Sequence, residues 1–162
     1  MDLHGAGGYQ RFDRTSWCKI LELAYSYSWR PQGTEPGQWY DENGELCKQI
    51  SPDPDTWDSN NYFSNDYQWV TETDAANIAD ALQQALDDIP DFDTSRKWVQ
   101  PEPDDLLWDL AESPAERAKL EQGFFVDLDA DSLSPVDYFS GEVKQIVRDF
   151  IRFCQAGAFC IA

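Results

Sequence analysis

The stretch "VTETDAANIADALQQALDDIP" (70–90) constrains the chain more than any other. Ala75, Ile78, Ala79, Leu82, Leu86 and Ile89 recur at helical spacing, while Asn77, Asp80, Gln84 and Asp87 fall on the other side. A stripe of that width has to be covered by other elements, so the segment predicts a core helix. Thr71 with Asp74 resembles a capping box, the acidic first turn suits the helix dipole, and Pro90 ends the pattern.

Three further segments carry the same kind of signal. "DRTSWCKILELAYSYSW" (13–29) places Trp17, Ile20, Leu21, Ala24 and Ser28 on one face, with Asp13 or Thr15 as cap and Pro31 as the stop. "SPAERAKLEQG" (113–123) has Ser at the cap, Pro at the first helical position, Glu116 two further on and Gly123 past the end. "GEVKQIVRDFIRFCQAG" (141–157) sets Val143, Val147, Phe150, Ile151 and Cys154 on its buried face, and "AFCI" after it reads as a strand. "PDDLLWDLA" (103–111) predicts a short helix, and "SPVD" (134–137) repeats the Ser-Pro-acid start. Asn43-Gly44 inside "WYDENGELCKQI" predicts a hairpin. The expected fold is α+β: a mainly helical single domain of about four to five helices over 13–162, with a small antiparallel sheet or hairpin. Residues 1–12 read as a flexible, glycine-containing leader.

Charge bounds function. The chain has 31 acidic against 12 basic side chains, a formal net charge of −19. Such a surface repels phosphates and anionic lipid, so no direct nucleic-acid binding and no membrane binding are expected. It favours a basic protein or a divalent cation. The aromatic content of 14% separates the chain from disordered acidic sequences. No export signal and no apolar run of spanning length is seen. Cys18, Cys47, Cys154 and Cys160 form no C-x-x-C pair, which reads as reduced thiols in a cytoplasmic protein.

The motifs for chemistry are sparse. His4 is the single histidine, so a Ser-His-Asp or Cys-His arrangement would hang on the leader. Asp127, Asp129 and Asp131 in "FFVDLDADSLSP" occupy positions 1, 3 and 5 of a calcium-loop pattern, but Ser132 replaces the turn glycine and Tyr138 the closing glutamate. Calcium or magnesium is the cofactor this triplet would hold; a solvated connector is the simpler reading. Asp53, Asp55 and Asp58 form a looser group. Carboxylates flanked by Trp and Tyr would also suit a glycosidase, with no pair singled out. "GAGG" (5–8) lacks the Lys-Ser/Thr of a phosphate loop. Lys144, Arg148 and Arg152 make a basic stripe that the chain's own acids can neutralise.

The aromatic run "WDSNNYFSNDYQW" (57–69) has the composition of a recognition surface, with rings for contact area and small polar groups for hydrogen bonds. Trp57, Tyr62, Asn65, Asp66, Tyr67 and Trp69 are therefore candidate partner-binding residues, together with Trp98 and Trp108; Tyr62, Phe63 and Trp69 could instead cover the core. The Y-F-S-N-D before a V-T-x-x-D-A helix, with F-x-x-F-C-x-x-G-x-F-x-I at the end, resembles a group of small bacterial proteins with no assigned activity. The resemblance covers about a quarter of the chain. It implies a small helix-rich domain and brings no catalytic residues; Tyr67 stands where similar sequences often carry glycine. The functional expectation is a non-enzymatic interaction protein that binds a basic macromolecular partner, as an immunity or antitoxin-like protein or a nucleic-acid mimic does. The alternative is a carboxylate-based enzyme or a divalent-metal-binding protein using Asp127, Asp129 and Asp131.

Overall fold

The computed structural model describes residues 1–37, 57–102 and 106–162. The hairpin expected at 39–50, Cys47, Asp53 and Asp55 lie outside these. The fold is α+β. A five-stranded antiparallel sheet has the order β2 (Gly8–Arg11), β1 (Asp2–Gly5), β7 (Phe159–Ile161), β4 (Gln68–Val70), β3 (Thr34–Glu35). Helices α1 (Arg14–Ser26), α2 (Glu72–Ala85) and α6 (Lys144–Gln155) pack together beside it, with α2 against both α1 and α6.

Strand alternation decides what the sheet buries. Register places Leu3 opposite Ile161 and Ile161 opposite Gln68; the next inward row runs Gly5, Phe159, Val70, Thr34. Leu3, Phe159, Ile161 and Val70 are fully buried. Phe150 of α6 sits at the centre of an aromatic cluster, with ring centroids 5.2 Å from Phe12, 5.8 Å from Trp17 and 6.1 Å from Phe159. The α2 stripe is buried as its spacing predicts, apart from half-buried Leu86.

The first twelve residues correct the expectation of a flexible leader. They form the β1–β2 hairpin, and β1 lies between β2 and β7. The glycines serve close packing here. A Cβ on Gly7 would lie 2.7 Å from the Phe153 carbonyl of α6, and Gly8 turns the chain at φ 100°.

Helix α1 also ends sooner than Pro31 implied. Ser28 takes a left-handed φ of 76°, its N–H bonds the Tyr25 carbonyl, and the Trp29 N–H bonds the Ala24 carbonyl at 3.0 Å. This is a Schellman closure with serine where glycine is usual. In the last helix, a 3-10 turn over Gly141–Val143 precedes α6 and leaves Val143 38% exposed instead of buried.

A second, smaller ladder pairs β5 (Arg96–Val99) with β6 (Phe124–Asp127), and α3 (Leu106–Leu110) and α4 (Pro114–Gln122) lie between them in sequence. The capping box of α4 is formed as expected, yet α4 contributes no fully buried residue. α5 (Pro135–Tyr138), capped by Ser134, returns the chain to α1. Among the described residues no helix is long and apolar enough to cross a membrane.

Candidate functional site

The 57–69 run divides by depth. Tyr62 is a core residue, 2% exposed, so its ring is withdrawn from any partner. Its hydroxyl donates to Asp74 Oδ2 at 2.6 Å and its ring meets Trp29 edge-on at 5.4 Å. Trp57 is half-buried, with Nε1 bonded to the Thr34 carbonyl at 3.0 Å. Asn65, Asp66, Tyr67 and Trp69 are exposed. Buried Gln68 shapes the loop that carries them: its amide nitrogen donates to the Asn61 and Ser64 carbonyls, and its oxygen accepts from the Asp66 N–H at 2.9 Å. Tyr67 adopts φ 58°, a left-handed value that glycine reaches at lower cost.

Asp74 holds this region to α2. It is fully buried and meets no cation among the described residues. Instead it accepts from Trp29 Nε1 at 2.9 Å and the Tyr62 hydroxyl, with the Gln32 N–H at 3.4 Å. Burial first, and then the hydrogen bond to Asp74, push the Tyr62 hydroxyl well above the usual tyrosine range, so it stays a donor. Asp74 reads in sequence as a capping residue only. Its position four before Ile78, on the apolar stripe, was the available signal for burial.

In front of the Trp29–Tyr62 pair a groove of about 540 Å³ opens between the last turns of α1 and the 60–63 loop. Leu21, Tyr25, Trp29, Tyr62 and Phe63 supply most of its wall, and Glu22 supplies a carboxylate. Helical spacing places Leu21 on the apolar face of α1, and it does not single out Tyr25 or Trp29.

The second group of candidates lies apart, on the small ladder. Trp98 on β5 is in register with Phe125 on β6, their rings 5.0 Å apart and near perpendicular. Trp98 is 49% and Phe125 62% exposed. Gly123, at φ 71°, lies beneath the indole, where a Cβ would come within 2.5 Å of it. Trp108 lies on α3, whose Leu106 and Leu110 are exposed, as is Phe92 before β5. Between residues 91 and 133 the sequence has twelve acidic and four basic side chains. The outcome is a set of solvent-facing rings and leucines inside an acidic part of the chain. Trp69 and Trp98 belong to different sheets, so the eight candidates do not form one patch.

The aspartate triplet does not converge. Asp127 closes β6 and pairs with Arg96 Nε at 2.8 Å. Asp129 caps the 3-10 turn Ala130–Ser132 by accepting from the Asp131 N–H. Asp131 is exposed, and its carbonyl lies 3.4 Å from Lys19 Nζ. Without glycine at 132 the chain does not wrap back on itself, and no group of three His, Cys, Asp or Glu side chains suited to a metal occurs among the described residues. The basic stripe is partly spent within the protein. Lys144 is buried, donating to the Ile89 carbonyl at 2.8 Å and Asp91 at 2.7 Å, and Arg152 pairs with Asp149.

His4 sits on β1 directly opposite Cys160, with its ring 5.1 Å from Tyr9. Burial raises the Cys160 thiol, the opposite of what an activated nucleophile needs. Cys154 is raised further, by burial and then by Asp74, and Cys18 is half-buried.

No protein-family model, curated protein or solved structure matches this chain.

Proposed function

We propose that this is an acidic interaction protein that binds a basic macromolecular partner, in the manner of an immunity or antitoxin-like protein or of a nucleic-acid mimic. The observation that carries the reading is the 91–133 segment. Trp98, Phe125, Leu106 and Leu110 face solvent there, in a segment with a threefold excess of acidic over basic side chains. Exposed apolar groups rimmed by charge mark interaction surfaces. Aromatic anchors provide residence time once desolvated, and the opposed fields speed encounter. The carboxylate-enzyme or metal reading, on Asp127, Asp129 and Asp131 with calcium or magnesium, would need those side chains to converge. Asp127 is instead paired with Arg96 and Asp129 caps a turn, which supports the interaction reading.

The test begins with capture of a basic partner at low salt and proceeds to kinetics on the purified pair. Association is expected to slow steeply as ionic strength rises, while joint Trp98→Ala and Phe125→Ala substitution accelerates dissociation by about tenfold or more. A partner whose association rate ignores salt would overturn the steering argument. The mimic version further requires that DNA and this protein compete for the same partner.

A further inference from the structure

The geometry points to the groove beside α1 as the seat of an arginine side chain projecting from the basic partner. This rests on the reading above and adds to it a second contact site, one with a defined chemistry. Four features of the groove agree on a cation with an apolar stem.

Ring faces come first. Trp29 and Tyr62 back the groove as its buried floor, and the ring faces open to a ligand are those of Tyr25 and Phe63, each more than half exposed at the mouth. Aromatic faces attract a guanidinium, which stacks flat on them, and Leu21 offers apolar surface to the methylene stem.

The second feature is the charge of the wall. Glu22 is the charged side chain lining the groove. Lys19 approaches it at 3.6 Å, but the Lys19 ammonium is held by the Leu133 carbonyl at 2.8 Å and its side chain is 11% exposed. The Glu22 side chain remains 57% exposed beside that pair.

The helix end is the third. The groove lies along the final turns of α1, where carbonyl dipoles carry partial negative charge and no basic residue occupies the last turn. Arg30 demonstrates the preference. Its guanidinium lies 4.1 Å from the Tyr25 ring centroid and donates to the Tyr25 and Trp29 carbonyls. Arg30 itself lines the neighbouring hollow with Asn77 and Asp80 and reaches the groove only at its mouth, over the Tyr25 ring.

Fourth, Asp74 stands behind the floor. Both floor residues donate to this buried carboxylate, which fixes their orientation before any ligand arrives and adds negative potential beneath the rings.

The experiment uses the whole protein with N-acetyl-arginine methylamide as probe, followed by heteronuclear NMR. The neutral isostere N-acetyl-citrulline methylamide and the primary ammonium ion benzylammonium are the comparison arms. The arginine probe is expected to shift the Trp29 indole and Phe63 amide resonances, and to bind about tenfold more tightly than citrulline. Phe63→Ala and Glu22→Gln, both at exposed side chains, should each weaken it about three- to tenfold. Equal binding of arginine and citrulline would overturn the proposal, as would shifts confined to other surfaces. Preference for benzylammonium over arginine would overturn it too, by showing a small-amine site. The two readings fail separately. If these variants leave the affinity for a captured basic partner unchanged while salt still slows its association, the groove is wrong and the acidic surface stands. If arginine fills the groove but association ignores salt, the steering argument falls and the groove survives.

Discussion

Asp74 shows how one residue can hold apart what sequence treats as neighbouring loops. Its two oxygens receive an indole N–H from the segment after α1 and a phenol from the segment before β4. Replacing it with alanine leaves both buried donors without partners, each costing about 1–3 kcal/mol. Asp74→Ala is therefore expected to lower unfolding free energy by about 2–6 kcal/mol, read from the denaturant midpoint in urea. A loss below about 0.5 kcal/mol would mean that water replaces the carboxylate, and would remove the argument for a preorganised floor. This residue was only half legible. The Thr71-x-x-Asp74 spacing announces a cap, and Thr71 does accept the Asp74 N–H. What it cannot announce is Trp29, 45 residues away, as the carboxylate's partner. Ser28 was illegible for a different reason: it takes a left-handed backbone angle at the end of α1 without being glycine, while Tyr67, also left-handed, stands where similar sequences often carry glycine.

Helix starts read well because their determinants are local. Asp13, Thr71, Ser113 and Ser134 each accept the backbone N–H three residues on, as their sequence settings imply. The β1–β2 hairpin did not read, since its glycines look the same whether they loosen a chain or let it approach α6 closely. Elements also differ in how much holds them. α2 and α6 bury whole faces in one core, whereas the β5–β6 ladder is a two-stranded pair with exposed rings, of the kind that is marginal in isolation. Hydrogen exchange should therefore separate them. Amides of β5, β6 and α4 are expected to exchange through local opening, well below the global unfolding free energy that protects α2 and α6. Equal protection across both groups would show that the ladder is supported far better than its exposed side chains suggest. A partner bound on Trp98 and Phe125 would raise protection in the ladder first.

Across the whole molecule, a net charge of −19 acts on the fold as well as on partners. Arg96–Asp127, Arg11–Asp2 and Lys19–Glu22 relieve some of it, but these pairs lie at or near the surface, where each contributes little. Self-repulsion among the remaining carboxylates opposes compactness and is screened within about 10 Å at ~0.1 M salt. Added sodium chloride is expected to raise the melting temperature; a fall on adding salt would mean that local ion pairs outweigh the net repulsion. Global charge is the most legible property of all, since it needs only counting. The location of the groove was the least legible, because it depends on α1 ending at Ser26 and on the Trp29 indole folding back toward α2.

The place of β7 in the sheet has a consequence for folding. It is the last of the described strands along the sequence, yet it stands third of five, between β1 and β4. Without residues 159–161 the β1–β2 hairpin and the β3–β4 pair share no ladder among the described residues. Trp69 and His4 both face Cys160 in this register. Leu3 and Val70 therefore meet Ile161 and Phe159 only through contacts of high sequence separation, whose loop-closure cost makes closing the sheet a slow step.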